Sequence, residues 1–207
     1  MFGDLPASEW PSEDGQQATT EPWASFVAAR KHGQAGKTDL AVAELERIAA
    51  TPSLESRHYL QAWHFLRLLK VKPPADKAKV VHGVVVEVGL PGGADIVAAY
   101  ADGTARYLHH TGAGVFWERP DSSLDAEIQA LLTAGHEVAS RIGPWEQARP
   151  EAPTNGNVRL NMLTPSGLHF GYGSFEALSK DPMGKAIIDP ATQLMVRLTE
   201  LRKTVRM

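Results

Sequence analysis

Apolar and polar positions alternate most clearly between Lys79 and Glu118, in the stretch KVVHGVVVEVGLPGGADIVAAYADGTARYLHHTGAGVFWE. A first strand is predicted over 80–88, with Val80, His82, Val84, Val86 and Val88 on one face and Val81, Gly83, Val85 and Glu87 on the other. Both faces are largely apolar, which marks a central strand. Turns at 90–93, at Asp102-Gly103 and at 111–114 separate three more strands over 95–100, 104–110 and 115–118. The pattern is an antiparallel meander that needs a cover.

The period then changes. Leu124, Ile128, Leu131, Gly135, Val138 and Ile142 recur in steps of three and four, which predicts a helix laid on the sheet and stopped at Gly143-Pro144. Gly135 within that stripe costs about 1 kcal/mol of helix propensity relative to alanine, so tight packing is expected there. A proline-rich loop over 144–157 leads to two further strands. Val158, Leu160 and Met162 point inward from the first, and Leu168, Phe170 and Tyr172 from the second. Residues 174–179 read as a short helix and 181–184 as loop. Asp189-Pro190 is expected to cap a last helix with Leu194, Met195, Leu198, Leu201 and Val205 on its inner face.

Runs of strands separated by single helices predict an α+β fold: an antiparallel sheet of five to six strands with helices on one side, preceded by a small helical segment. The order of elements resembles the layout of the profilin, longin and roadblock group. That resemblance implies partner binding or dimerisation rather than catalysis.

Upstream of the sheet, residues 1–20 carry Asp4, Glu9, Glu13 and Asp14 with no Lys or Arg, and are expected to form a flexible acidic tail. Phe2, Leu5 and Trp10 are large apolar side chains within it, which suits a short docking segment. A three-helix segment follows over 21–72, then a linker over 73–79 opened by Pro73-Pro74, then the α+β sheet domain over 80–207. The first two helices, paired around Gly36, Ala41 and Leu45, resemble one hairpin unit of a tetratricopeptide repeat. A solenoid needs stacked units, so a plain hairpin is the expectation.

Composition narrows the function classes. A net charge of −3 lacks the basic face that a nucleic-acid backbone wants, and no nucleic-acid partner is expected. The absence of cysteine excludes disulfide and thiolate chemistry in these residues. No apolar run approaches the roughly 18 residues of a membrane span, and the first residues lack the pattern of a signal peptide. A cytoplasmic location away from membranes is expected.

His109 and His110 are adjacent, and alternation along a strand turns neighbours to opposite faces, away from a shared metal. His136-Glu137 lacks the second histidine of a helical zinc motif. The glycine-rich turns join strand to strand rather than strand to helix, which is wrong for a phosphate cradle. No metal and no cofactor are therefore expected. Asp102 with His109 or His110 remains the candidate acid–base pair, although its hairpin turn already explains Asp102. Phe116, Trp117 and Trp145 are the candidate interaction residues, as large aromatics in a short strand and a loop. The expected function is a non-enzymatic interaction or adaptor protein, binding a protein partner or a second copy through the sheet domain. The alternatives are an enzyme with a site near His109 and His110, or a small-ligand sensor.

Overall fold

The computed structural model describes residues 1–9 and 19–204. The chain divides into two compact units, residues 1–78 with 165–167 and residues 79–164 with 168–207. Among the described residues no helix is long and apolar enough to cross a membrane.

The first unit is built on three helices, α1 (Trp23–Gln34), α2 (Thr38–Ala50) and α3 (Ser56–Leu68). Phe26, Ala29, Leu45, Ile48, Ala62, Trp63 and Leu66 form its core. The wide apolar arc of α3 accounts for the density of that core, because residues from more than one of its faces are buried. Residues 1–9 depart from the expected free tail. Gly3 adopts a positive φ against α3, where a Cβ would lie 2.4 Å from the Leu60 Cβ. The Gln61 side chain accepts from the Leu5 N–H (3.2 Å) and donates to the Leu5 carbonyl (2.8 Å). Arg30 Nη1 donates to the Ala7 carbonyl at 3.2 Å. A buried glutamine satisfied by backbone outweighs the polar composition that suggested a solvated tail. Trp10, with the rest of 10–18, lies outside the described residues.

The second unit is a six-stranded antiparallel sheet with helices packed on it, an α+β fold. Its strands are β1 (Gly83–Leu90), β2 (Gly93–Tyr100), β3 (Ala105–Leu108), β4 (Gly114–Trp117), β5 (Asn157–Thr164) and β6 (Gly167–Ser174), in the order β4-β3-β2-β1-β5-β6. β1 pairs along its length with β2 and with β5, which makes it central as the sequence predicts. Register places Val84, Val86, Val97, Ala99, Leu160 and Met162 on one face. Helices α4 (Asp125–Arg141) and α6 (Pro182–Thr204) cover that face and complete the core with Ile128, Leu131, Ile187, Leu194 and Leu198. Gly135 is the point of closest approach: a Cβ there would sit 2.4 Å from Val84 Cγ2. Full burial of a side chain such as Val84 contributes about 1.5–3 kcal/mol, which offsets the propensity lost at the glycine.

Three details differ from the sequence reading. β1 begins at Gly83 rather than Val80, and Val81 enters the same core as Val84. The chain bends at His82, whose N–H donates to Leu163 and whose carbonyl accepts from Ala101. The last helix starts eight residues early, at Asp181-Pro182, where the Asp181 carboxylate accepts the Gly184 N–H (2.8 Å). Asp189-Pro190 carries the same signal but lies inside α6. The real start sits directly after α5 (Phe175–Lys180), with Gly184 fitted against the Leu178 carbonyl. Val205 and Arg206 of the expected helix lie outside the described residues. In β6, Gly167 and His169 are the buried positions, whereas Leu168 and Phe170 are half-buried and Tyr172 is exposed. His169 takes the buried face with Gly167, and alternation turns Leu168, Phe170 and Tyr172 the other way.

The face of the sheet opposite α4 and α6 is also closed beside β1 and β5. Glu87 and Arg159, paired in register, are both buried, and Asn161 beside them is fully so. Arg159 Nε donates to Glu87 Oε2 at 2.7 Å, and its Nη1 donates to the carbonyls of Pro150 (2.8 Å) and Glu151 (2.6 Å). Asn161 Nδ2 donates to the Val85 carbonyl (2.8 Å) and to Glu87 Oε2 (2.9 Å). The proline-rich loop is thus fastened across β1 and β5. Gly89 admits it, since a Cβ there would meet the Thr154 carbonyl oxygen at 2.1 Å.

Candidate functional site

Asp95, His109 and His110, all partly exposed, converge at the turn between β3 and β4. β3 ends at Leu108, and residues 109–113 form a tight turn in which the His109 N–H donates to Ala113 and the Gly112 N–H donates to His109, each at 2.8 Å. Gly112 holds a φ of +88°, which a side chain resists. Because His109 and His110 lie past the strand, alternation does not apply to them. Their rings lie on the same side, 4.0 Å apart between centroids. The expectation that they face opposite ways is overturned.

Asp95 near the start of β2 meets them. Asp95 Oδ1 accepts the His110 backbone N–H (2.9 Å) and lies 2.9 Å from His110 Nδ1, while Oδ2 accepts from the Tyr107 hydroxyl at 2.8 Å. His109 Nδ1 lies 2.8 Å from Thr111 Oγ1. Gly93 makes room for the turn: a Cβ there would touch the His110 Cβ at 3.3 Å. Burial alone would raise the Asp95 carboxyl, but the His110 N–H, the His110 ring and the Tyr107 hydroxyl together hold it below the usual range. Burial and the neighbouring carboxylate push the Tyr107 phenol up to about 12, so it stays a donor. One donor atom from each of Asp95, His109 and His110 lies within 4.8 Å of the other two.

Asp102 is not part of this cluster. It sits at the opposite end of the β2–β3 hairpin, where its Oδ1 accepts from Thr104 N (3.0 Å) and Thr104 Oγ1 (2.7 Å). The acid that does meet the histidines, Asp95, escapes the sequence reading although the register contains it. Ile96 pairs with Leu108, and one further step back along that hairpin sets Asp95 beside His109.

The three aromatic candidates separate. Trp117 pairs with Ala105 and packs in the core, 9% exposed. Phe116 points from the other face and is 59% exposed, with the Arg106 guanidinium 5.8 Å from its ring centre. Trp145 lies edge-on to Phe170 with ring centroids 5.2 Å apart, and its indole N–H donates to the Ala148 carbonyl. In the helical unit, a cavity of about 940 Å³ is lined by residues including Phe26, Ala29, Leu45, Phe65 and Leu69.

The sheet has two edges. β4 has four residues and passes into Glu118 and Arg119, whereas β6 has eight, GLHFGYGS, with no Lys, Arg, Asp, Glu or Pro. The Trp145 N–H donates to the Leu168 carbonyl at 2.6 Å, so that carbonyl faces away from β5. Alternation then turns the backbone groups of Phe170 and Tyr172 to the same outer side. Tyr172 is 52% exposed. Compared with protein-family models, curated proteins and solved structures, the chain finds no match.

Proposed function

We propose that this is a non-enzymatic interaction protein whose sheet unit serves as a binding and dimerisation platform through β6. The observation that carries the reading is an eight-residue edge strand without a charge or a proline. Proteins that do not use an edge blunt it with charge, proline, a bulge or brevity, and the opposite edge is indeed short. Strand addition uses the outward backbone groups for affinity and the alternate side chains for specificity.

The occupant proposed is a second copy of the chain. Antiparallel pairing centred on Gly171 sets Phe170 of each copy opposite Tyr172 of the other, giving two aromatic cross-strand pairs in one isologous contact. The resemblance in layout to the profilin, longin and roadblock group supports the same class of function by analogy. The test is light scattering on the full chain over a range of concentrations. A dimer is expected that Tyr172→Pro converts to a monomer, because proline removes an outward N–H, with an unchanged circular dichroism spectrum. A monomer at every concentration, or a dimer indifferent to that substitution, would sink the reading.

A further inference from the structure

The geometry points to a binding site for a borderline divalent transition cation, with Zn²⁺ as the type, held by Asp95, His109 and His110 at the β3–β4 turn. Two imidazoles and one carboxylate form a donor set suited to Zn, Ni, Cu or Fe rather than to Mg or Ca, which prefer all-oxygen shells. The 2.9 Å between Asp95 Oδ1 and His110 Nδ1 is the spacing of two ligands at right angles around a metal, and a tetrahedral Zn²⁺ at about 2.0–2.1 Å would open it to about 3.3–3.4 Å. The third donor lies within 4.8 Å of the others. Bringing it to ligating distance requires the half-exposed His109 ring to shift.

The neighbouring groups would orient the ligands. Tyr107 donates to Asp95 Oδ2, which leaves Oδ1 for the cation and fixes the plane of the carboxylate. Thr111 holds His109 Nδ1 through its Oγ1 at 2.8 Å and its N–H at 3.3 Å; ligation through Nε2 puts the ring proton on Nδ1, where Thr111 Oγ1 accepts it. Such outer partners orient ligands and are themselves worth tenfold or more in affinity. The turn is also rigidly closed, by the two hydrogen bonds across 109–113 and by Gly93 beneath His110. The cation would replace the hydrogen bond between His110 Nδ1 and Asp95 Oδ1, with the His110 ring proton carried on Nε2. Water completes the coordination on the open side.

The test is a calorimetric titration of the full chain with ZnCl₂ in a non-chelating buffer, with backbone amide shifts recorded in parallel. One equivalent is expected to bind, with shifts centred on residues 93–95 and 107–113. Asp95→Asn and His109→Ala are each expected to weaken binding at least about tenfold, and Tyr107→Phe to weaken it less with the stoichiometry unchanged. Excess MgCl₂ is expected not to compete. His109 lies on the turn surface, so its alanine variant keeps the fold, which the amide spectrum checks. No saturable binding by ~1 mM Zn²⁺, or wild-type affinity in either Asp95→Asn or His109→Ala, would overturn the proposal. This outcome is independent of β6, because neither variant touches that edge.

Discussion

Two acid–base contacts lie on the same sheet and differ little in length. Arg159 Nη2 is 2.6 Å from Glu87 Oε2, and His110 Nδ1 is 2.9 Å from Asp95 Oδ1. Their surroundings separate them. The Arg159 and Glu87 side chains are 1% and 4% exposed, and the carbonyls of Pro150 and Glu151 and the Asn161 amide hydrogen-bond to them. The His110 and Asp95 side chains are 27% and 18% exposed, with a second imidazole alongside and one side open to water. The first contact is closed to solvent; the second has a side open to a ligand. Burial, rather than distance, separates the two contacts.

The largest effect expected from breaking this contrast is at Arg159. Arg159→Met leaves Glu87 buried with its ion-pair partner gone and should cost about 3–5 kcal/mol, read from denaturant midpoints. Replacing both members, Glu87→Leu with Arg159→Met, should recover most of that loss, because removing a whole buried pair is often near neutral. If the single variant cost under about 1 kcal/mol, the network would not be what fastens the loop.

His82 separates the cost of burial from the gain of pairing. Burial pushes its imidazole down to about 4, against the attraction of Asp102. The folded value lies below the unfolded value of about 6.5, so between those limits the unfolded chain binds more protons. Stability is therefore full above pH ~6.5 and falls as pH drops toward 4, by on the order of 2–3 kcal/mol. Urea midpoints measured across this range check the slope, and His82→Asn should flatten it.

The smallest effect is at Asp95. Asp95→Asn should change stability by only about 0.5–1 kcal/mol, since its contacts are half-exposed, while its effect on Zn²⁺ affinity is large. A thermal shift set beside the titration shows whether the two effects part company. Equal losses in both would make Asp95 a structural residue.

The meander, its Asp102-Gly103 turn, the central place of β1 and the helix carrying Gly135 were all legible, because each rests on local periodicity or turn chemistry. The polar network was not. Alternation assigned Val158, Leu160 and Met162 to the core and so implied solvent for Arg159 and Asn161, and only a loop eight or nine residues upstream closes that face. Asp189-Pro190 and Asp181-Pro182 are equivalent as cap signals, and packing against α5 selects between them. The histidine pair was misread because Leu108, not His110, ends the strand, and one or two residues at a strand end decide on which side a ring falls. Asp95 was within reach through the hairpin register, whereas the rigid turn that gathers both rings was not.

The order β4-β3-β2-β1-β5-β6 also sets a schedule for synthesis. The first four strands are neighbours in sequence and pair by short turns, but β1 receives its second partner only when Arg159, 72 positions after Glu87, has been made. At about 5–20 residues per second on the ribosome, that interval is about 4–14 s. During it the valine-rich β1 is an open edge with Glu87 unanswered. A charge in a strand discourages edge-to-edge association, and Glu87 supplies one in β1 before Arg159 is made to pair with it.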